Sequence, residues 1–172
     1  KKESPCTFAW FASPKGAGTL SKPIELNQYI LPYIIENTGW NAASDMTCGY
    51  NRKTGLVSTL VGARLSIEFK NIQKEIRYWN VLTLKSYHMK WKDGVVRFHL
   101  LVNPNREGVS ARKSTFEISG WWNVGHNDVD STYHFEVDLG EEHKAPVGSD
   151  VMVQMELVSG EGFKILGMML CS

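Results

Sequence analysis

The sequence predicts an all-β protein, an antiparallel two-sheet sandwich of the jelly-roll kind whose N-terminal third is irregular or partly helical. Three observations carry this reading. Apolar and polar residues alternate with period two in roughly eight segments, the pattern of strands buried on one face. Short turns rich in Gly, Pro, Asn and Ser separate those segments. Helix-like spacing is confined to one stretch before residue 40. A closed barrel is the alternative architecture. The length of 172 residues suits one domain with a substantial core and is short for two, so residues 1–172 are expected to form a single domain.

After Cys6, the run Thr7, Phe8, Ala9, Trp10, Phe11, Ala12 reads as a strand, closed by the turn-forming Ser-Pro-Lys-Gly-Ala-Gly. Residues 13–50 read as an irregular arm or short helices packed on the sandwich. Within them Ile24, Leu26, Tyr29, Ile30, Tyr33 and Ile34 recur near period 3.6, and Pro32 ends any helix near Leu31. The segment 39–50 is turn-rich, with Asp45 and Cys48 expected in a loop or a single helical turn.

From Gly55 the pattern is regular. Leu65, Ile67 and Phe69 alternate with Arg64, Ser66, Glu68 and Lys70. Next, Ile76, Tyr78, Leu82 and Leu84 are expected on the inner side and Arg77, Trp79, Thr83, Lys85 and Tyr87 on the outer. Val96, Phe98, Leu100 and Val102 make a third inner face, with Arg97 and His99 pointing away. Residues 114–139 supply two more strands: Phe116, Ile118 and Trp122 alternate with Glu117, Ser119 and Trp121, and Tyr133, Phe135, Val137 and Leu139 with Thr132, His134, Glu136 and Asp138. The last two strands carry Val151, Val153, Met155 and Leu157, then Phe163, Ile165 and Met169, joined by the hairpin signal Ser159-Gly160-Glu161-Gly162. This alternation sends Tyr78, Phe98, Phe116, Tyr133, Phe135 and Phe163 to the core and leaves Trp79, Tyr87 and Trp121 outside, where an aromatic is informative.

Composition excludes several classes. Net charge is +1 with both signs interspersed, which gives no basic face for nucleic acid. No apolar run reaches the roughly 18 residues that span a bilayer, so membrane insertion is not expected. The opening KKESPC looks like a processed boundary rather than a natural beginning and hides any leader, so compartment is argued from the cysteines; a catalytic or membrane-anchored remainder of a larger protein is among the expected partners. Three cysteines, Cys6, Cys48 and Cys171, lack paired zinc spacing. A Cys6–Cys171 staple across the chain ends is the natural pairing for a secreted or lumenal protein; Cys6–Cys48, or three reduced thiols in a cytosolic protein, are the alternatives.

Catalytic signatures are missing: no G-x-S-x-G elbow, P-loop, dinucleotide fingerprint or H-E-x-x-H occurs. Glu117, Glu136, Asp138 and His134 are the suspects for a small glycan-active hydrolase, set against carboxylates that merely solubilise a sheet face. Asp128 and Asp130 offer oxygen ligands for Ca2+ at D-x-D spacing, though Asn, Asp and Gly also favour such a turn for backbone reasons. The aromatic set carries more. Sugars present C–H faces to flat rings and hydroxyls to polar side chains, so a sugar site needs both together. Trp121, Trp122, His126, Asn127, Asp128 and Asp130 gather on one loop; a second group, with Tyr87 and Trp91, interleaves aromatic and basic residues at residues 85–92. Either end of the sandwich suits the second group, and Trp91 and Trp122 also suit plugs of an open end. Arg97 is a further hydrogen-bonding candidate.

On these alternating strands, aromatic loops and the closing strand Phe163-Lys-Ile-Leu-Gly-Met-Met-Leu-Cys, residues 63–171 resemble jelly-roll carbohydrate-binding modules and galactose-binding-like lectin domains. The resemblance implies a non-catalytic module that recognises a glycan or polysaccharide. A protein-interaction or adhesion sandwich, with the outward aromatics as interface anchors, is the alternative.

Overall fold

A computed structural model describes residues 4–11, 22–47, 51–122 and 130–172. Eleven strands form among them: β1 (Cys6–Phe11), β2 (Ile34–Asn37), β3 (Asn41–Thr47), β4 (Asn51–Ser58), β5 (Arg64–Phe69), β6 (Tyr78–Ser86), β7 (Val95–Val102), β8 (Arg112–Ser119), β9 (Asp130–Asp138), β10 (Val151–Ser159) and β11 (Phe163–Cys171). One sheet has the order β3-β4-β11-β6-β9, with β1 on the second half of β11; the other has the order β2-β5-β10-β7-β8. These strands pair antiparallel, and one isolated parallel bridge joins Ser86 to Trp121. From β4 onward the chain changes sheet at every connection except the β7–β8 hairpin, which is the jelly-roll manner of winding a sandwich.

Period-two patterning explains the core. Val96, Phe98, Leu100 and Val102 of β7 and Val151, Val153, Met155 and Leu157 of β10 are buried, and they share one cluster with Phe163, Ile165, Met168 and Leu170 of β11. A register shift between Ile165 and Gly167 makes Leu166 the extra residue, and Leu166 joins Leu84 and Trp91 in a separate apolar cluster.

The predicted helix exists as α1 (Pro23–Ile30). Pro23 occupies its first turn, and the Glu25 carboxylate accepts from the Lys22 backbone N–H at 3.3 Å. Leu26 and Ile30, one turn apart, are buried where α1 packs on β3 and β4. Pro32 sits in a 3-10 turn, Leu31–Tyr33, and the chain then becomes extended.

Residues 41–47 differ from expectation. Asp45 lies in β3, which pairs residue by residue with β4 from Asn41↔Val57 to Thr47↔Asn51. Asn, Ala, Ser and Asp are weak strand formers, so β3 is a strand by virtue of its partner. Two other strands were missed: β4, whose Asn-Arg-Lys-Thr-Gly start gives no apolar alternation, and β2, which is four residues long and was absorbed into the helical pattern. Cys48 lies outside the described residues.

The faces of β6 are the reverse of those predicted. Trp79, Val81 and Thr83 point between the sheets, each 0% exposed, while Tyr78 is half-buried beneath Arg77. Trp79 packs edge-on to Phe98 and Phe116 at 6.2 and 4.6 Å. The cause is that β6 is an interior strand covered on both sides: Leu82 and Leu84 fill the small cluster with Trp91 and Leu166, so neither face reads as polar. Tyr133 is also displaced from its predicted place, being 40% exposed at the end of its inward-facing row.

Cys6 and Cys171 face each other across the β1–β11 pairing and form a disulfide. Among the described residues, no helix is long and apolar enough to cross a membrane.

Candidate functional site

The two aromatic groups meet at one end of the sandwich. β8 ends at Ser119, and residues 120–122 cross from one sheet to the other through a short relay of backbone bonds. Gly120 N–H donates to the Gly94 carbonyl at 2.9 Å, Ser86 N–H to the Gly120 carbonyl at 3.0 Å, and Trp122 N–H to the Ser86 carbonyl at 3.0 Å. Gly120 suits this close approach, because a Cβ would come to 3.0 Å from the Phe163 ring. This crossing delivers Trp121 and Trp122 beside the exit of β6, where Tyr87 follows Ser86.

The Tyr87 and Trp122 rings lie 4.8 Å apart. The Lys85 ammonium sits 5.7 Å from the Trp122 ring and 5.0 Å from Tyr133, within cation–π reach of both. Trp121 and Trp122 are half-buried; the Trp121 Nε1–H is shielded from solvent and finds no acceptor among the described residues. These tryptophans, with Lys85, Asp93, Val95, Ser119 and Ser159, line an open cleft of about 550 Å3, within the usual range for small-ligand sites.

Backbone contacts hold the far wall. Gly160 has φ +88, and a Cβ there would strike the Asp93 backbone, while Ser159 Oγ donates to the Asp93 carbonyl at 3.1 Å. Gly160→Ala is therefore expected to cost roughly 1–3 kcal/mol, for a left-handed backbone position plus a steric clash. Chemical denaturation measures it.

The other candidates fall in different places. Trp91 is 3% exposed and packs against Leu84 and Leu166, so its ring is a plug and is not presented for stacking. Arg97 lies one cross-strand row below the Val95–Ser119 wall, and its guanidinium is paired with Glu117 at 2.8 Å, so it borders the cleft without lining it. His126, Asn127 and Asp128 lie outside the described residues, and Asp130 is described by its backbone, which pairs with Ser86. Lys85, Asp93 and Ser159 were not singled out as binding residues from sequence; the signal available was that Lys85 alternates next to Tyr87 and that Ser159 opens the final hairpin.

The hydrolase suspects are divided between the two sheets. Glu117 stands on the outer face of the β8 sheet, and Glu136 and His134 stand on the outer face of the β9 sheet, with His134 Nε2 2.7 Å from Asn80 Oδ1. Asp138 is tied at the opposite end from the cleft, where the Gly140 N–H and the Arg77 guanidinium hold its carboxyl below the ordinary range. A low carboxyl pKa is the reverse of what a general acid needs. Among the described residues, no group of three or more His, Cys, Asp and Glu is placed to hold a metal ion.

No family model matches the chain, and no curated protein matches it. The solved structures it is similar to include several carbohydrate-binding modules. The C-terminal CBM6 of LamC, a marine laminarinase from Zobellia galactanivorans, is 15% identical, covering 82% of this chain and 94% of that one, at a TM-score of 0.42. The module CBM6cm-2 of Cellvibrio mixtus lichenase 5A, solved with cellotriose, is 10% identical over 97% and 98% of the two chains, at 0.41. A CBM36 solved with calcium and xylotriose is 10% identical over 77% and 90%, at 0.39. The likeness is one of strand arrangement.

Proposed function

We propose that the chain is a non-catalytic glycan-binding module, a single domain whose site is the cleft at the Trp121–Trp122 end. The observation that carries this is the convergence of Trp121 and Trp122 with Lys85, Asp93, Ser119 and Ser159 around one open cleft, with the Tyr87 ring set against Trp122. Flat rings meet the C–H faces of a sugar, and ammonium, carboxylate and hydroxyl groups beside them bond its hydroxyls. His126, Asn127 and Asp128 follow Trp122 in the chain and would add polar partners from the same loop. The Cys6–Cys171 disulfide supports a secreted or lumenal setting, and a larger parent protein would supply any chemistry.

A glycan array, followed by titration of the best polysaccharide, tests the reading. Binding is expected, and Trp122→Ala and Trp121→Ala should each weaken it about tenfold, the scale of one lost stacking partner, with unchanged melting as the control. Binding that neither substitution alters, or no binding to any glycan, overturns it. A stable protein complex that sugars do not displace would instead mark an interaction domain. Running the titration with and without a chelator tests whether Asp128 and Asp130 bring Ca2+ into the site.

A further inference from the structure

The five-stranded sheet ends in β8, which pairs with β7 along all of Arg112–Ser119 without a register shift. Among the described residues no strand pairs with its other edge. A long, regular, unpaired edge is a template for another strand. The remaining edges are less suited. β2 has four residues and a register shift, β1 has a register shift between Cys6 and Phe8, and β3 is packed against the eight-residue α1. β8, by contrast, meets the four-residue helix Gly140–His143 near its first residue, where Arg112 Nη1 donates to the Glu142 carbonyl at 3.0 Å. β9 carries Asp130, Glu136 and Asp138 with no Lys or Arg, so two copies of it would bring like charges together.

β8 is different, for its outward residues Lys113, Thr115, Glu117 and Ser119 are exposed and include both signs. We infer that two copies of this chain associate edge to edge through β8, antiparallel, about a two-fold axis at Thr115. An axis perpendicular to the sheet keeps outward residues outward. At Thr115 it sets that residue against its own copy and Lys113 against Glu117 of the second copy, twice over. Moved to Lys113 or Glu117, the axis opposes like charges; at Ser114 or Phe116 it makes no cross-strand ion pair. One register is therefore charge-complementary.

Lys113 makes no ion pair among the described residues. Glu117 holds Arg97 at 2.8 Å and, as a carboxylate with two oxygens, has capacity for a second cation. Exposed pairs are individually weak, so they select the register while strand-to-strand backbone bonds supply the association. Because the strands run antiparallel, the clefts that follow Ser119 lie at opposite ends of the joined sheet. The pairing does not depend on the glycan reading.

Sedimentation velocity over a concentration series tests it. Wild-type protein is expected to shift from monomer toward dimer as concentration rises. Lys113→Glu and Glu117→Lys should each raise the dissociation constant about tenfold, through two repulsive pairs per dimer. An equimolar mixture of the two variants should associate again, since every 113–117 contact between unlike chains is then opposite in sign. Melting of each variant reports the fold. Monomer at every wild-type concentration, a dimer indifferent to both reversals, or a mixture that stays dissociated overturns the inference.

Discussion

Replacing Trp79 with alanine is expected to destabilise the protein by about 3–5 kcal/mol, the usual cost of emptying a large aromatic site in a core. Trp79 is 0% exposed and touches Phe98 and Phe116, and Phe116 stacks in turn on both Phe98 and Phe135. Removing it leaves a cavity where the inner faces of the two sheets meet. The prediction opposes what alternation alone implies, since an outward Trp79 would be replaceable within about 0.5 kcal/mol. Trp79→Phe sharpens the test. The buried Nε1–H has no acceptor among the described residues, so phenylalanine keeps most of the ring contact and discards an unmet donor. Its cost should be well below that of alanine. Urea denaturation of the three proteins decides the matter, and an alanine variant as stable as wild type would place Trp79 on the surface.

Replacing Cys6 and Cys171 together by serine is expected to cost about 2–5 kcal/mol. The bridge closes a sequence separation of 165 residues, so in the unfolded chain it restrains a very long loop. In the folded chain it anchors β1 to β11, alongside hydrogen bonds from Ser172 N–H to the Pro5 carbonyl at 3.1 Å and from Thr7 Oγ1 to the Lys74 carbonyl at 3.2 Å. Loss of the bridge should therefore lower the melting midpoint and expose the amides of β1 to hydrogen exchange before those of β7 and β10. A reductant should reproduce the shift in wild type and have no effect on the double variant. Equal stability of variant and wild type would mean that Cys6 and Cys171 do not pair.

Much of this was legible in the sequence because one-sided burial writes itself as period two. β5, β7, β8, β9 and β10 each bury one face against the opposite sheet, and each was placed from its alternation; β11 is covered on both faces, and its extra residue Leu166 brings Met168 and Leu170 into the core where alternation alone expects Met169. The hairpin at Gly160 was legible because φ +88 suits glycine. Failures came where burial is not one-sided or where pairing outweighs propensity. β6 lies between β11 and β9 with apolar neighbours on both faces, so alternation had no polar side to mark the outside. β3 consists of weak strand formers and is held by β4.

The candidate site divides in the same way. Alternation set Tyr87 and Trp121 outside the core, where no packing duty explains an aromatic, and set Trp79 there too, which the structure buries; Trp122 fell on the inward register and was a candidate through its place beside Trp121. Their proximity was a matter for tertiary structure. Trp122 and Tyr87 are 35 positions apart in sequence, and only the crossing from Gly94 through Gly120 to Ser86 joins the ends of β7, β8 and β6 in space. The same long-range packing withdrew Trp91 into an apolar cluster and committed Arg97 to Glu117. Sequence by itself determined an antiparallel sandwich and its surplus of aromatics, since both follow from local alternation and residue chemistry. Which face of β6 is the core, and which rings share a cleft, depend on contacts between distant strands, which local patterns do not encode.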